Sequence, residues 1–273
     1  YALGQRQSNN HSPRFTDEEV VTIYLFGLIK GRRTLREIYT YVVDHLSEWF
    51  PHLPSYGGYV QRLNRLSDVF AALTEKSLDA VSGTGVIASR RLVDSFPIIL
   101  AHAKRSARAR VAPELADKGY CSSKNLYYYG VKVHVVAKSR PGGLPVPDRI
   151  SADTASSNDL TAIRPVLLEL HGGVLIGDKA YVSRTLRADL MQAQNLELIT
   201  PKKKAKGQVR LSAADQMYST AVSALRQPIE SLFNWVEEKT GIQMASKVRS
   251  YDGLMVHVFG RLAAAMLLLA FNS

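Results

Sequence analysis

The hydrophobic period of this chain changes at the Gly-rich stretch Ser82-Gly83-Thr84-Gly85, and that change limits what the chain can fold into. Before it the pattern is helical. Thr16 and Glu19 form a capping box, and Val20, Ile23, Tyr24 and Leu28 then recur on one helix face. A second helix is expected from about Thr34 to Phe50, stopped by Pro51, and a third begins near Ser55. After the break, "RRLVDSFPIIL", "LYYYGVKVHVVAK" and "PVPDRIS" read as successive strands. A helix near Asn158-Asp159, the buried strand "GGVLIGD", a helix from about Ser183, the strand "LELIT" and a basic loop "PKKKAKGQVR" follow, and helices fill the rest. Strands first in succession and then alternating with helices predict an α/β fold. A mixed sheet flanked by helices (residues 83–273) stands behind an all-helical unit (residues 1–82).

Charge narrows the partner. With 273 residues, 46% of them hydrophobic, the chain can bury a sizeable core, and its net charge of +11 with a pI near 9.7 favours a polyanion. Plain solubility is the alternative. Cys121 is the only cysteine, so no intrachain disulfide can form. The opening "YALGQRQSNNHS" has no apolar stretch of the secretory type, and a first residue Tyr1 in place of Met reads as a trimmed or partial chain. The apolar run Leu254 to Phe271 is interrupted by His257, Gly260 and Arg261, which predicts a buried helix rather than a membrane span. A soluble cytoplasmic protein with no membrane and no small-molecule substrate is expected.

Three acids stand out by their surroundings. Asp94 interrupts an apolar strand, Asp178 ends the strand "GGVLI", and Glu230 borders the apolar stripe Leu225, Ile229, Leu232, Phe233 and Val236. Burying a carboxylate costs several kcal/mol unless a cation or hydrogen bonds compensate. A set of carboxylates suits hard divalent cations, and structural ion pairs are an equally good reading of the spacing alone. His102 and His134 lack His or Cys partners at metal spacing. Asp159 reads as a helix cap, and Tyr127, Tyr128 and Tyr129 as strand filling or base-stacking groups. On the third helix Gln61, Arg62, Asn64 and Arg65 face outward, as in a helix-turn-helix reader of DNA or in ordinary solvated surface. Two basic runs, around Lys104-Arg105 and Lys202-Lys203-Lys204, suit phosphate contacts. The word "IGDKAY" is nearly repeated as "LADKGY", whose Asp117 is expected in a mobile loop with Lys118 available to DNA.

In order along the chain, "LPSYGGYVQRLNRL", "LVDSFPI", "ADKGYCSSKNLYYYGVKVHVV", "VLIGDKAYVS" and "RQPIESLFNWVEEKTGI" resemble bacterial insertion-sequence transposases of the DDE class, with insertion-sequence family 982 the nearest in wording. The likeness runs from about residue 34 onward. It implies an RNase H-like core in which Asp94, Asp178 and Glu230 are the catalytic residues and hold two Mg²⁺, with Mn²⁺ able to substitute. It implies cleavage at a transposon end and attack of the freed 3′-hydroxyl on target DNA, by a homodimer holding two ends of double-stranded DNA near the bacterial nucleoid. Lys179 adjoins the second Asp, and Arg226 precedes Glu230 by one helical turn, as in the related Tyr-Arg-Glu-Lys signature. Ser223 and Glu237 depart from that signature, Lys239 is the substitute for its Lys, and Pro228 is expected to kink or start the helix. Two rivals remain open at this level: a catalytically inactive DNA-binding relative, and a nuclease that cuts without joining.

Overall fold

The computed structural model describes residues 13–81, 86–121 and 125–271. The Gly-rich break, the polar opening stretch and the "SSK" inside "ADKGYCSSKNLYYYGVKVHVV" lie outside them.

Four helices come first: α1 (Asp17–Ile29), α2 (Leu35–His45), α3 (Tyr56–Arg65) and α4 (Ser67–Val81). The capping boxes Thr16/Glu19 and Thr34/Glu37 start α1 and α2 as the sequence requires. The second helix stops at His45, short of the expected Phe50, because Leu46 closes it through an N–H to the Val42 carbonyl and the chain then turns. Val20, Ile23, Ile38, Tyr59, Leu63 and Phe70 form the core of these helices.

The sheet follows. Its elements are β1 (Ile87–His102), α5 (Ala103–Ser106), β2 (Asp117–Cys121), β3 (Leu126–Ser139), β4 (Val146–Thr154), α6 (Asp159–Leu167), β5 (Gly173–Ile176), α7 (Arg184–Gln194) and β6 (Leu196–Ile199). Beyond it come α8 (Ala213–Thr240), α9 (Tyr251–Met255), a π-helical turn (Val256–Gly260) and α10 (Arg261–Phe271). β1 is central, antiparallel to β3 on one side and parallel to β5 on the other, with β6 outside β5. β2 and β4 divide the far edge of β3 between them. One face packs Leu92, Val133 and Val135 against Ile229, Leu232 and Val236 of α8, and against Leu254, Leu262 and Met266. The other packs Val93, Val136 and Leu175 against α6 and α7. This is the expected mixed sheet with helices on both faces.

Three local expectations are corrected. Asp117 is not in a loop: it begins β2, with its backbone opposite Gly130 of β3. Pro228 does not start a helix, since α8 begins at Ala213 and runs through it. The cap of α6 is Asn158, which accepts from the Leu160 N–H, while Asp159 pairs with Lys132 at 2.9 Å. The segment Tyr251–Phe271 is long and apolar enough to cross a membrane, yet 72% of its most apolar window is buried inside the protein. Its residues serve two cores at once, with Leu262 and Met266 under the sheet and Ala263 and Ala264 against the N-terminal helices.

Candidate active site

Asp94 and Asp178 are brought level by strand register. Leu92 of β1 is opposite Ile176 of β5 in a parallel pair, and each aspartate lies two residues beyond its member of that pair. Adjacent strands lie about 4.8 Å apart, and a two-residue step preserves the face, so both side chains emerge side by side on the α8 side. Gly177 permits the approach, because a Cβ there would come within 2.9 Å of the Tyr181 ring and 3.1 Å of Val93. The Asp178 side chain also accepts from the Ala180 N–H at 2.6 Å, which fixes the turn that follows it.

Glu230 comes from α8. Its link to the sheet is Arg226, whose guanidinium donates to the Asp94 carboxylate and to Glu230 one turn along the helix. With α8 continuous through Pro228, Arg226 points at Asp94 and Glu230. Burial pushes the Asp94 carboxyl from its ordinary 3.8 up to about 7, against the opposing pull of Arg226 and the Ser95 N–H, while Asp178 and Glu230 push it further up. Both other acids therefore act on Asp94. Tyr181 lies below them, fully buried, its phenol driven up by burial and then by Asp94, Asp159 and Asp178.

A stability prediction follows from Asp94. Its folded value is raised, so the native state holds more proton than the unfolded chain between about 3.8 and about 7. The stabilisation is complete below that window and is lost as pH rises through it, by at most about 4 kcal/mol. Asp94→Asn removes the titrating group. In divalent-free buffer the wild-type melting temperature should therefore fall relative to that of Asp94→Asn between about pH 5 and pH 8. Parallel curves for the two proteins would show that Asp94 carries no such penalty.

Do these residues fit a divalent metal? Among the described residues no three His, Cys, Asp or Glu side chains converge closely enough to hold one. The Arg226 guanidinium instead lies between Asp94 and Glu230 and pairs with both. The donor chemistry nevertheless fits. All three groups are carboxylates, Asp178 and Glu230 both raise the proton affinity of Asp94, and positive charge beside Asp94 and Glu230 is here supplied by the Arg226 guanidinium.

The remaining candidates are scattered. Lys179 is exposed beside Asp178, Lys104 and Arg105 are exposed on α5, and Lys202, Lys203 and Lys204 are exposed after β6. The Lys202 ammonium lies 5.3 Å from the Tyr218 ring centre. Lys239 pairs with Glu238, and nine residues of helix, about 13 Å, separate it from Glu230. Glu237 accepts from the Gln243 N–H and so shapes the following loop. On α3, Arg65 is exposed as expected, but Arg62 turns inward to Asp17 at 2.6 Å and to the Phe15 carbonyl. Asp17 sits at the start of α1, where the sequence shows only a helix-capping acid, so this pairing was not visible in advance. His134 is buried between strands and kept neutral by desolvation, and His102 is exposed. Of the tyrosines, Tyr128 and Tyr129 fill the strand, whereas Tyr127 is exposed against Tyr120 with ring centres 4.8 Å apart.

Residues 84–250 match the protein family described as "Transposase DDE domain", a span that includes all three acids and Arg226. No curated protein matches the chain.

Proposed function

Because the chain belongs to the transposase DDE-domain family, we propose that it cuts DNA at the ends of a mobile element and joins the freed ends to target DNA. The observation that carries this reading is the level register of Asp94 and Asp178 on adjacent strands, with Glu230 tied to Asp94 through Arg226. Enzymes of this family generally use divalent metals, and we assign Asp94, Asp178 and Glu230 as the residues that would hold Mg²⁺ or Mn²⁺. When bound there, such ions supply the positive charge that offsets charge developing on the attacking and leaving oxygens of a phosphodiester.

The chain's own residues do the rest. The buried Tyr181 closes one side of the site to bulk water, and the partial burial of Asp94 strengthens the interactions of its carboxylate. Arg226 offsets part of the charge of Asp94 and Glu230 before substrate arrives, and its guanidinium suits the phosphate of an incoming strand. Lys179 and the loop Lys202-Lys203-Lys204 offer exposed cations for the DNA backbone, and Lys104 with Arg105 a second group. In the same reading the sheet is RNase H-like, the chain is akin to insertion-sequence family 982, and α3 with Arg65 reads the element end in helix-turn-helix fashion. A homodimer would hold two ends of a bacterial element in the cytoplasm.

Duplexes taken from the DNA flanking its own coding sequence provide the test. Mg²⁺ or Mn²⁺ should support both cleavage and joining, whereas Ca²⁺ should permit binding with little turnover. Full cleavage in excess chelator would overturn the carboxylate-metal assignment. Cleavage without joining would mark a nuclease, and binding without cleavage an inactive relative.

A further inference from the structure

Beside the carboxylates, between the turn joining β3 to β4 and the middle of α8, runs an open groove of about 590 Å³. Arg90, Arg140, Ser139, Gln227 and Ser231 supply its polar groups, and no acidic or aromatic side chain lines it. Among the described residues neither arginine has a carboxylate partner. Their neighbours differ. Next to Arg90 on β1, Arg91 reaches Asp148 at 3.2 Å; two residues before Arg140, near the end of β3, Lys138 reaches it at 2.8 Å; and Arg149 meets Glu169 at 3.1 Å. The charges of this region are thus neutralised around Asp148 and left bare in the groove.

The turn is built around one of these cations. Arg140 donates through Nε to the Leu144 carbonyl at 3.0 Å, which lays the guanidinium across the turn. Gly142 takes a positive φ of 69°, and a Cβ on Gly143 would stand 3.0 Å from that same Nε. Two glycines therefore make the bend and leave room for the guanidinium.

The groove also leads to the acids. Arg90 precedes Asp94 by four residues on β1, about 13 Å at strand rise. Gln227 and Ser231 follow Arg226 and Glu230 on α8, about 100° round the helix. In B-form DNA about 13 Å along the axis is close to four steps of 3.4 Å. With cationic forks, hydroxyls and an amide but no ring to stack a base, the lining suits phosphate oxygens rather than nucleobases.

We propose that this groove seats the backbone phosphates of the DNA strand about four nucleotides from the bond held at Asp94 and Asp178. The assignment rests on the reading of the chain as a DNA-cutting enzyme. It is tested by the anisotropy of a labelled duplex of about 40 base pairs, titrated with the full chain in Ca²⁺ over a salt series. The double variant Arg90→Gln/Arg140→Gln should weaken binding and reduce the slope of log affinity against log salt by about 2, close to one per lost phosphate contact. Gln227→Glu, a change that suits an exposed helix position, should weaken binding by placing a carboxylate in the groove. Arg164→Gln removes an exposed arginine that pairs with Asp189 on the opposite layer, and should change the slope little. A folded double variant with the wild-type slope, or an equal drop in Arg164→Gln, overturns the groove. Should the double variant fail to fold, unchanged binding by Gln227→Glu overturns it alone. A wild-type chain that binds no duplex at all instead removes the DNA reading, and the groove with it.

Discussion

Asp178→Asn is expected to lower single-turnover strand cleavage by at least about 10³-fold, equivalent to ~4 kcal/mol of transition-state stabilisation, while Asp117→Asn leaves most activity intact. The two aspartates share almost the same local wording, so only their places in the sheet separate them. Asp178 stands level with Asp94 across the β1–β5 pair, and its charge is felt at the Asp94 carboxyl. Asp117 begins β2, beyond β3, three strand steps from β5 and therefore about 14 Å across the sheet. Its carboxylate accepts from the Lys118 N–H and from the Ser156 hydroxyl, which hold it below the usual carboxylate range at the exposed start of that strand. Asparagine keeps the size of the side chain while removing the charge, so circular dichroism and duplex binding should match the wild type for both variants. Equal loss of cleavage in the two folded proteins would show that the sheet position does not decide which copy reacts.

The parts of this site that were legible in the sequence are those fixed by short-range patterning. An acid inside an apolar strand, and another at the end of a Gly-bounded one, announce themselves because the hydrophobic surroundings make the charge conspicuous. Alternation marked β3, and short apolar runs bounded by turn residues marked β1 and β5 for the same reason. β2 was missed because its five residues, "DKGYC", bury only Gly119 and so show no apolar alternation. Arg226 could be placed on a helix but not aimed, since its direction depends on how α8 lies across β1. Arg62 looked like an outward cation because helical spacing assigns faces without knowing that Asp17 lies behind the helix. The bare cations of the groove were hidden too: Arg90 and Arg91 are adjacent in sequence, and only the sheet reveals that one is neutralised and the other is not. Most of all, no local pattern indicates that Ala263 and Ala264 complete the core of the N-terminal helices.

That shared core makes Arg261 the position where a single substitution should cost most stability. Arg261 is 6% exposed and has no carboxylate partner among the described residues. Its guanidinium donates instead to the carbonyl of Thr240 at the end of α8, to the carbonyl of Arg33 just before α2 at 2.5 Å, and through Nε to His257 Nδ1 at 3.2 Å. His257 meets the Ile242 carbonyl with its other nitrogen at 2.8 Å, and burial followed by the nearby Arg261 charge holds it down to about 3, so it stays neutral and can accept. The cation also sits at the negative end of the α8 dipole. One side chain thus joins the helix carrying Glu230, the entry to α2 and the start of α10. Arg261→Leu would fill the space but leave the buried Thr240 carbonyl, the partly buried Arg33 carbonyl and a ring nitrogen without this donor, at about 1–3 kcal/mol each before water relieves some of it. A net loss of about 3–5 kcal/mol is expected, which in a chain of this size lowers the melting temperature by roughly 10 °C. Arg261→Lys should recover part of the loss, because an ammonium keeps the charge at the helix end but cannot fork to all three acceptors. Thermal and urea unfolding at neutral pH would measure both variants, and a Leu variant as stable as the wild type would mean that the N-terminal helices and α8 are joined by their apolar contacts alone.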